Sequence, residues 1–452
     1  MPHPSSRTPW RLFVAAALLL AALHPAATLD YRMRDGFEFS SSPCPTGGPS
    51  RPDKILLACL YPAKYNDFEL INFGSNAMID IVRMLTDSIN KRDDILAGVE
   101  VEVEFVPLAV QAGKAFESAA RFVFNQTLYE DLVGFLGAQT DANSITIQYV
   151  AQSYKVPQVS WSSQTSILSN EARFPFFART VGSALELGTC ISQMLREFNV
   201  TAVALLSDRD TITGASGDFS FESFEENGVE VVYSKILPTT VTDTTQYETT
   251  LREIKASGAI YIIAYINPIT VARLMITNKD LGYIVSRSSV WVTDDTMIDV
   301  QQLINLLVNF NIPFPEDWGI TVPPAEMWGI MHGTIIMVPG DLENSAFDEL
   351  NGQVSSADTS LYRNLGQELD TSSSSTMRLL DAFHAIVYAV DAMLRSGRGC
   401  QVNGPQRNGD AVFEALKAVE FEGYSGPVRF DTIGDRLTPM SVYNIKSADG
   451  GV

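Results

Sequence analysis

The chain has 452 residues and carries a formal net charge of −21 at pH 7. A surface this acidic repels phosphate backbones and anionic headgroups, which argues against nucleic acid and anionic membrane surfaces as partners. A hydrophobic content of 46% supplies full cores, and at a prior of ~150 residues per domain the length implies roughly two or three of them.

At the N-terminus, Arg7 and Arg11 precede the apolar run Leu12–Leu23, and Pro25, Ala26, Ala27 and Thr28 follow it. A basic flank, a short apolar stretch and a small-residue site predict a cleavable signal peptide over residues 1–28. The run would cover only ~18 Å as a helix, short of the ~30 Å hydrocarbon core. The processed chain is therefore expected to be secreted or lumenal, with membrane contact only through a segment beyond Val452. Residues 29–53 read as a flexible leader. Cys44, Cys59, Cys190 and Cys400 lack metal-ligand spacing. An oxidising compartment favours one or two disulfides, in a pattern the spacing does not fix. Cys59, inside "ILLACLY", reads equally well as a buried thiol. Asn125-Gln126-Thr127 and Asn199-Val200-Thr201 are N-glycosylation sequons.

From Lys54 onward, short β-branched runs alternate with segments of helical period. "ILLACLY" predicts a strand, and Met78, Ile81, Val82, Leu85 and Ile89 mark one face of a helix. "VEVEFVPLAV" predicts a strand, Lys114–Val123 a helix, "LVGFLG" a strand, "DANSITIQYVAQSY" a helix and "VPQVSW" a strand. After "FPFFART" the rhythm restarts. Helices are expected at Leu185–Phe198, Phe219–Glu226, Glu248–Ala256 and Ile269–Lys279, alternating with strands at "AVALLS", "VEVVYSKI", "AIYIIAY" and "SVWVTDD". Two such series predict an α/β chain with two parallel sheets, hence two lobes. After Trp328, "GIMHGTIIMV" resumes the pattern. Met377–Leu394 reads as a strongly amphipathic helix, Ala411–Val419 as a last helix, and Gly and Pro punctuate short strands in the tail.

The chemistry of an enzyme is missing. Beyond the signal peptide only His332 and His384 remain, too few for a histidine-based triad or metal centre. No GxxxxGK[ST] or GxSxG motif occurs. Asp208-Arg209-Asp210 has the DxD form in which carboxylates share a divalent cation, so a metal-dependent glycosyltransferase is the enzymatic alternative. No cofactor or metal is expected otherwise.

Open parallel sheets bind ligands at the carboxyl ends of their strands. Two such ends are rich in small and polar residues. One is Gly137 followed by Gln139, Thr140 and Asp141; the other is Trp161 followed by Ser162, Ser163, Gln164 and Thr165. Local sequence leaves ligand binding open against routine helix capping by Thr140 or Asp141 and by Ser163 or Thr165.

The stretch "GAQTDANSITIQYVAQSYKVPQVSWSSQTSILSNEARFPFFARTV" resembles the receptor-family ligand-binding region, as does the tail "GPVRFDTIGDRLTPMSVYNI". That family has the type I periplasmic-binding-protein fold, seen in bacterial branched-chain amino-acid binding proteins and in the ectodomains of class C receptors and receptor cyclases. The resemblance runs from Lys54 to Ile445. It implies two doubly wound parallel-sheet lobes joined by a three-crossover hinge, with a small-molecule ligand between them. It places 54–178 and 329–436 in the first lobe and 179–328 in the second. Residues 437–452 form the last crossover and the start of a return that stops short. First-lobe ligand contacts fall on Gln139, Thr140, Ser162 and Gln164 or Thr165. Second-lobe contacts fall on Thr213 and Asp294, the latter suited to a ligand amine. Amino-acid receptors often have a serine where Gln139 stands and an aromatic residue where Thr213 stands. Met78 occupies the place of the arginine used by glutamate receptors, so glutamate is not supported. The expected function is a sensor ectodomain, dimerising through first-lobe helices that include Met78–Ile89. A ligandless dimerisation or adhesion ectodomain is the near alternative.

Overall fold

The unbroken apolar run Ile55–Leu60 is buried throughout, as a strand covered on both faces requires. It lies in β2 (Lys54–Pro62), the second strand of a five-stranded parallel sheet. The computed structural model describes residues 30–45, 51–62, 69–108, 112–125, 127–208, 221, 223–237, 244–266, 268–282, 289–294, 320, 322–339, 345–358, 360–362, 374–404 and 407–446. The first sheet runs β3 (Glu100–Leu108), β2, β4 (Leu132–Leu136), β5 (Gln158–Ser160), β6 (Phe177–Arg179). At its edge, β3 exposes Glu100 and Glu102, charges that discourage pairing with another strand. Helices α1 (Glu69–Ile89), α2 (Ala112–Phe124) and α3 (Asp141–Ala151) connect these strands.

The second sheet has six strands in the order β14 (Met440–Asn444), β11 (Ile335–Pro339), β10 (Val290–Asp294), β9 (Tyr261–Tyr265), β7 (Ala202–Asp208), β8 (Glu230–Leu237). All pairings are parallel except that of β14 with β11. Its helices include α4 (Ala184–Glu197), α5 (Thr244–Ser257), α6 (Pro268–Asp280) and α7 (Pro324–Met331). The chain passes between the two sheets after β6, after β11 and again before β14, so the expected α/β class with three crossovers holds.

Two boundaries move. The sequence reading sends the chain back to the first lobe at residue 329, but β11 pairs with β10 at Val292↔Ile335 and stays in the second sheet. Met327, Trp328, Ile330 and Met331 of α7 are buried in that sheet's core, so the return falls between Pro339 and Ser345. The return expected to begin over 437–452 is made by the "YNI" segment, which as β14 pairs antiparallel with β11.

The leader also differs from expectation. Residues 31–33 form β1 (Tyr31–Met33), antiparallel to β12 (Val419–Gly423), which pairs onward with β13 (Gly426–Val428). The Tyr31 ring stacks on Tyr388 with centroids 4.7 Å apart, Arg34 N–H donates to Ala418 O at 2.7 Å, and Cys44 is disulfide-bonded to Cys400. Cys59 is a buried thiol and Cys190 a half-buried one. Residues 31–44 of the leader are held by partners at the far end of the chain, where no local pattern announces them.

Helices α8 (Ser345–Ser356), α9 (Ser374–Arg395) and α10 (Gly409–Ala418) complete the first lobe. The amphipathic reading of α9 fails, because residues 376–393 are buried without interruption. First-lobe strands and β12 cover α9 on different sides, so it is a central helix with no solvent face.

Candidate functional site

The site begins where β4 ends. Gly137 has φ +115°, and a Cβ there would meet Leu60 O at 2.5 Å and the Trp161 ring at 3.2 Å. Only glycine lets the chain turn so close to β2. Gly137 N–H donates to Val159 O at 2.8 Å, and Gln158 Nε2 donates to Gly137 O at 2.8 Å, which fixes the turn against β5.

Beyond the turn a serine cluster locks the two strand ends together. Ser160 Oγ donates to Ala138 O at 2.6 Å, Ser144 Oγ accepts from Ala138 N at 3.1 Å, and Ser144 and Ser163 share a hydrogen bond at 2.7 Å. Ser163 N donates back to Ser160 Oγ at 3.0 Å. These groups are mutually satisfied, so they shape the loop and leave no polar atom for a ligand.

The candidate residues divide by role. Thr140 Oγ1 caps α3, accepting from Asn143 N at 3.4 Å, and Thr165 Oγ1 accepts from Ile167 N at 3.3 Å. Both side chains are thus used as caps. Ser162 is buried, its N–H directed to Ser160 Oγ at 3.3 Å. Gln164 is 3% exposed and Trp161 0%. Gln139 and Asp141 keep part of their surface open. Asp141 Oδ1 accepts from Thr165 N at 3.2 Å, which ties both loops into one wall. Gln139, Thr140, Ser162, Gln164 and Thr165 therefore share the carboxyl ends of neighbouring strands. Asp294 ends β10 in the other sheet and is 2% exposed. Thr213 and Asp210 lie outside the described residues, while Asp208 is the last residue of β7. Among the described residues, no group of three His, Cys, Asp or Glu is placed to hold a metal ion.

Sequence reasoning missed what supports this wall. Arg179, fully buried at the end of β6, donates to Ser163 O at 3.2 Å and to Thr165 O at 3.0 Å, holding the second loop from beneath. Its guanidinium is held in turn by Asp435. A lone arginine in the otherwise apolar "FPFFART" was the available signal, since a charge on a buried strand needs a partner. Next along the tail, Arg436 donates to Thr180 O at 2.7 Å and Ser425 Oγ at 2.6 Å. Glu186 Oε1 accepts from Thr438 N at 3.4 Å. The first and third crossovers are thus bound to each other.

Burial pushes the Asp141 carboxyl up to about 7, against Arg179 and the backbone N–H groups of Thr165 and Gln164, which lower it. A separate cavity of about 900 Å³ lies away from the strand ends, between β1, the 92–97 loop and the end of α9. Several of its charges are already engaged. Asp391 accepts from Tyr31 Oη at 2.7 Å, Arg395 Nε at 2.6 Å and Leu96 N at 2.9 Å, and Arg92 pairs with Asp94 at 2.6 Å. The strand ends are the better candidate.

Two parallel sheets, three crossovers and a polar wall at the strand ends define a bilobed ligand-binding α/β protein. Residues 82–448 match the model of the receptor family ligand binding region, and the chain belongs to that family. It is similar to taste receptor type 1 member 2 of Mus musculus, at 26% identity over 193 residues, 40% of this chain and 23% of the receptor. The match thus spans less than a quarter of that relative's length. No helix among the described residues is long and apolar enough to cross a membrane.

Proposed function

We propose that this chain is the extracellular sensor module of a membrane receptor, holding a small molecule between its sheets and signalling by closing over it. One observation carries the reading. Gln139 Oε1, Asp141 Oδ2, Trp161 Nε1 and Gln164 Oε1 are buried without a hydrogen-bond partner. Each such atom costs about 1–3 kcal/mol, and unsatisfied groups of this kind in folded proteins need a functional or solvent explanation. Four of them at adjacent carboxyl strand ends lie where open parallel sheets bind ligands. Asp294, at the corresponding end of a strand in the second sheet, supplies the opposing contact. A ligand touching both favours closure by its differential affinity for the closed form, with coupling of about 1–3 kcal/mol to a neighbouring domain. An amino acid or derivative is one candidate. Binding without catalysis fits the absence of any triad or phosphate loop in the sequence.

Dimerisation through first-lobe helices belongs to the same proposal, with the helix after Met78–Ile89 offering more apolar surface than that helix does. From Ala77 to Ile89, α1 exposes only Arg83 and Asp87. The neighbouring α2 exposes Phe116 by 50% and Phe124 by 60%, with Leu128 beyond it at 66%, and a second copy of this chain would cover them. Asn125 and Asn199 are exposed and remain the proposed glycan sites. A glycan on Asn125 would cover the same surface as the dimer, so intact mass and oligomeric state should be measured together.

Thermal unfolding of the full chain against amino acids and small metabolites tests the sensor reading. A sensor gains melting temperature from at least one ligand, and Gln164→Leu reduces that gain. A ligandless dimerisation module responds to none.

A further inference from the structure

We propose that the first-lobe wall selects a ligand bearing a cationic amine and turns away a ligand carboxylate, with Asp141 as the residue that decides. This rests on the sensor reading and names its ligand class. Three of the four unsatisfied atoms at the strand ends, Gln139 Oε1, Asp141 Oδ2 and Gln164 Oε1, are acceptors, and only Trp161 Nε1 is a donor. A ligand that completes the wall must therefore bring more donors than acceptors.

Charge narrows the choice from any donor to a cation. Asp141 Oδ1 accepts from Thr165 N at 3.2 Å, and the Gln164 N–H also favours the charged carboxyl, while Oδ2 has no hydrogen-bond partner. The cation nearest in influence is Arg179, but its five N–H donors are all spoken for. Nε and one Nη2 hydrogen go to Asp435, both at 2.7 Å, and the two Nη1 hydrogens go to Ser163 O and Thr165 O. The remaining Nη2 hydrogen goes to Ser169 Oγ. Asp435 balances that charge, so Arg179 stiffens the loop and offers Asp141 no hydrogen bond. An enclosed carboxylate with one oxygen unserved is costly, and a ligand ammonium supplies both the donor and the counter-charge. A ligand carboxylate would face two amide oxygens and could be met by Asp141 only after that carboxyl took up a proton, whereas an ammonium pairs with it directly. The chain's net charge of −21 adds long-range attraction for cations.

The test uses thermal shift and calorimetry on the full chain with three probe classes. These are ethanolamine, putrescine and agmatine as amines without carboxylate; acetate and succinate as carboxylates without amine; and glucose as a neutral polyol. The proposal expects amines alone to raise the melting temperature. It expects Asp141→Asn to weaken amine binding by about tenfold or more, the loss of a charge-assisted contact. Asp141→Ser, with a similar capacity to begin a helix, should behave alike if Asp141→Asn folds poorly. Stabilisation only by carboxylates or glucose overturns the amine assignment and leaves the sensor standing. So does amine binding that survives both substitutions. If no probe and no wider metabolite panel moves the melting temperature, the sensor reading falls, and this proposal falls with it.

Discussion

Arg179 and Asp435 meet as a fork, Nε to Oδ1 and Nη2 to Oδ2, both at 2.7 Å, although 256 positions separate them in the chain. The arginine side chain is fully buried and the aspartate 12% exposed. The pair joins the last strand of the first sheet to the tail that leads into the third crossover. Through Ser163 O and Thr165 O it also braces the second strand-end loop.

Removing one partner of this fork leaves a buried charge without its counter-ion. Arg179→Met and Asp435→Asn should each cost about 3–5 kcal/mol. The double variant should cost clearly less than the two single losses combined, because the orphaned charge disappears. Urea denaturation of the four proteins closes the cycle, and additive losses would mean that the pair is not coupled.

The alternation of sheet strands and helices was legible where buried parallel strands are uninterrupted apolar runs. Leu132–Leu136 and Tyr261–Tyr265 are instances. Three features were not legible, for one shared reason: long-range contacts decide them. β1 takes its strand character from β12. α9 has charged positions Arg378, Asp381 and Asp391 that imitate a solvent face, yet all three are buried; Asp381, for one, is held by the Tyr424 and Ser425 N–H groups. β11 joins the second sheet by pairing with β10 on one side and β14 on the other. The strand-end loops stood out through Gly137 and their hydroxylic composition. Capping and ligand binding draw on the same residue types, so sequence could not divide Thr140 and Thr165, used as caps, from Gln139, Asp141 and Gln164, which are left with free acceptors.

The Cys44–Cys400 bridge closes a loop over a sequence separation of 356, so its main effect is to restrict the unfolded chain. Replacing both cysteines by serine should lower stability by about 2–4 kcal/mol. It should also loosen the arm that β1 holds by three residue pairs. Limited trypsin digestion reads this directly, with cleavage at Arg32 and Arg34 accelerating on reduction. Unchanged cleavage would show that β1 and the Arg34 contacts hold the arm by themselves.

His384 is 5% exposed and packed among the rings of Phe383, Tyr388 and Tyr424. Burial pushes its imidazole down from 6.5 to about 4, with Arg92 adding to the effect and the Leu380 carbonyl opposing it. The unfolded chain therefore binds a proton that the folded chain refuses between those two values. The stability this group contributes is full above pH 6.5 and is lost as pH falls toward 4. Wild type should lose stability over that interval faster than His384→Gln, by up to ~1.4 kcal/mol per pH unit. Parallel pH profiles for the two proteins would rule the histidine out as a cause.

Gly137 separates effects on the fold from effects on the strand-end wall. Its φ of +115° is strained for any side chain, and a Cβ would press on Leu60 O at 2.5 Å, a backbone atom of β2 that cannot rotate away. Alanine there must displace the turn, and with it the Gly137 N–H bond to Val159 O at 2.8 Å and the Gln158 amide bond to Gly137 O at 2.8 Å. The helix that follows starts at Asp141, only four residues on, so Gln139 and Asp141 move with the turn. Gly137→Ala should destabilise by about 1–3 kcal/mol, the usual size of local backbone strain. It should also reduce ligand-induced stabilisation by more than Gly228→Ala does. That control has φ +73° but nothing within 4 Å of its Cβ, and it lies before β8, away from the strand-end loops. Comparing the two variants by unfolding with and without ligand distinguishes strain alone from a displaced wall. Equal loss of ligand response in both would argue that the turn at Gly137 has no special part in binding.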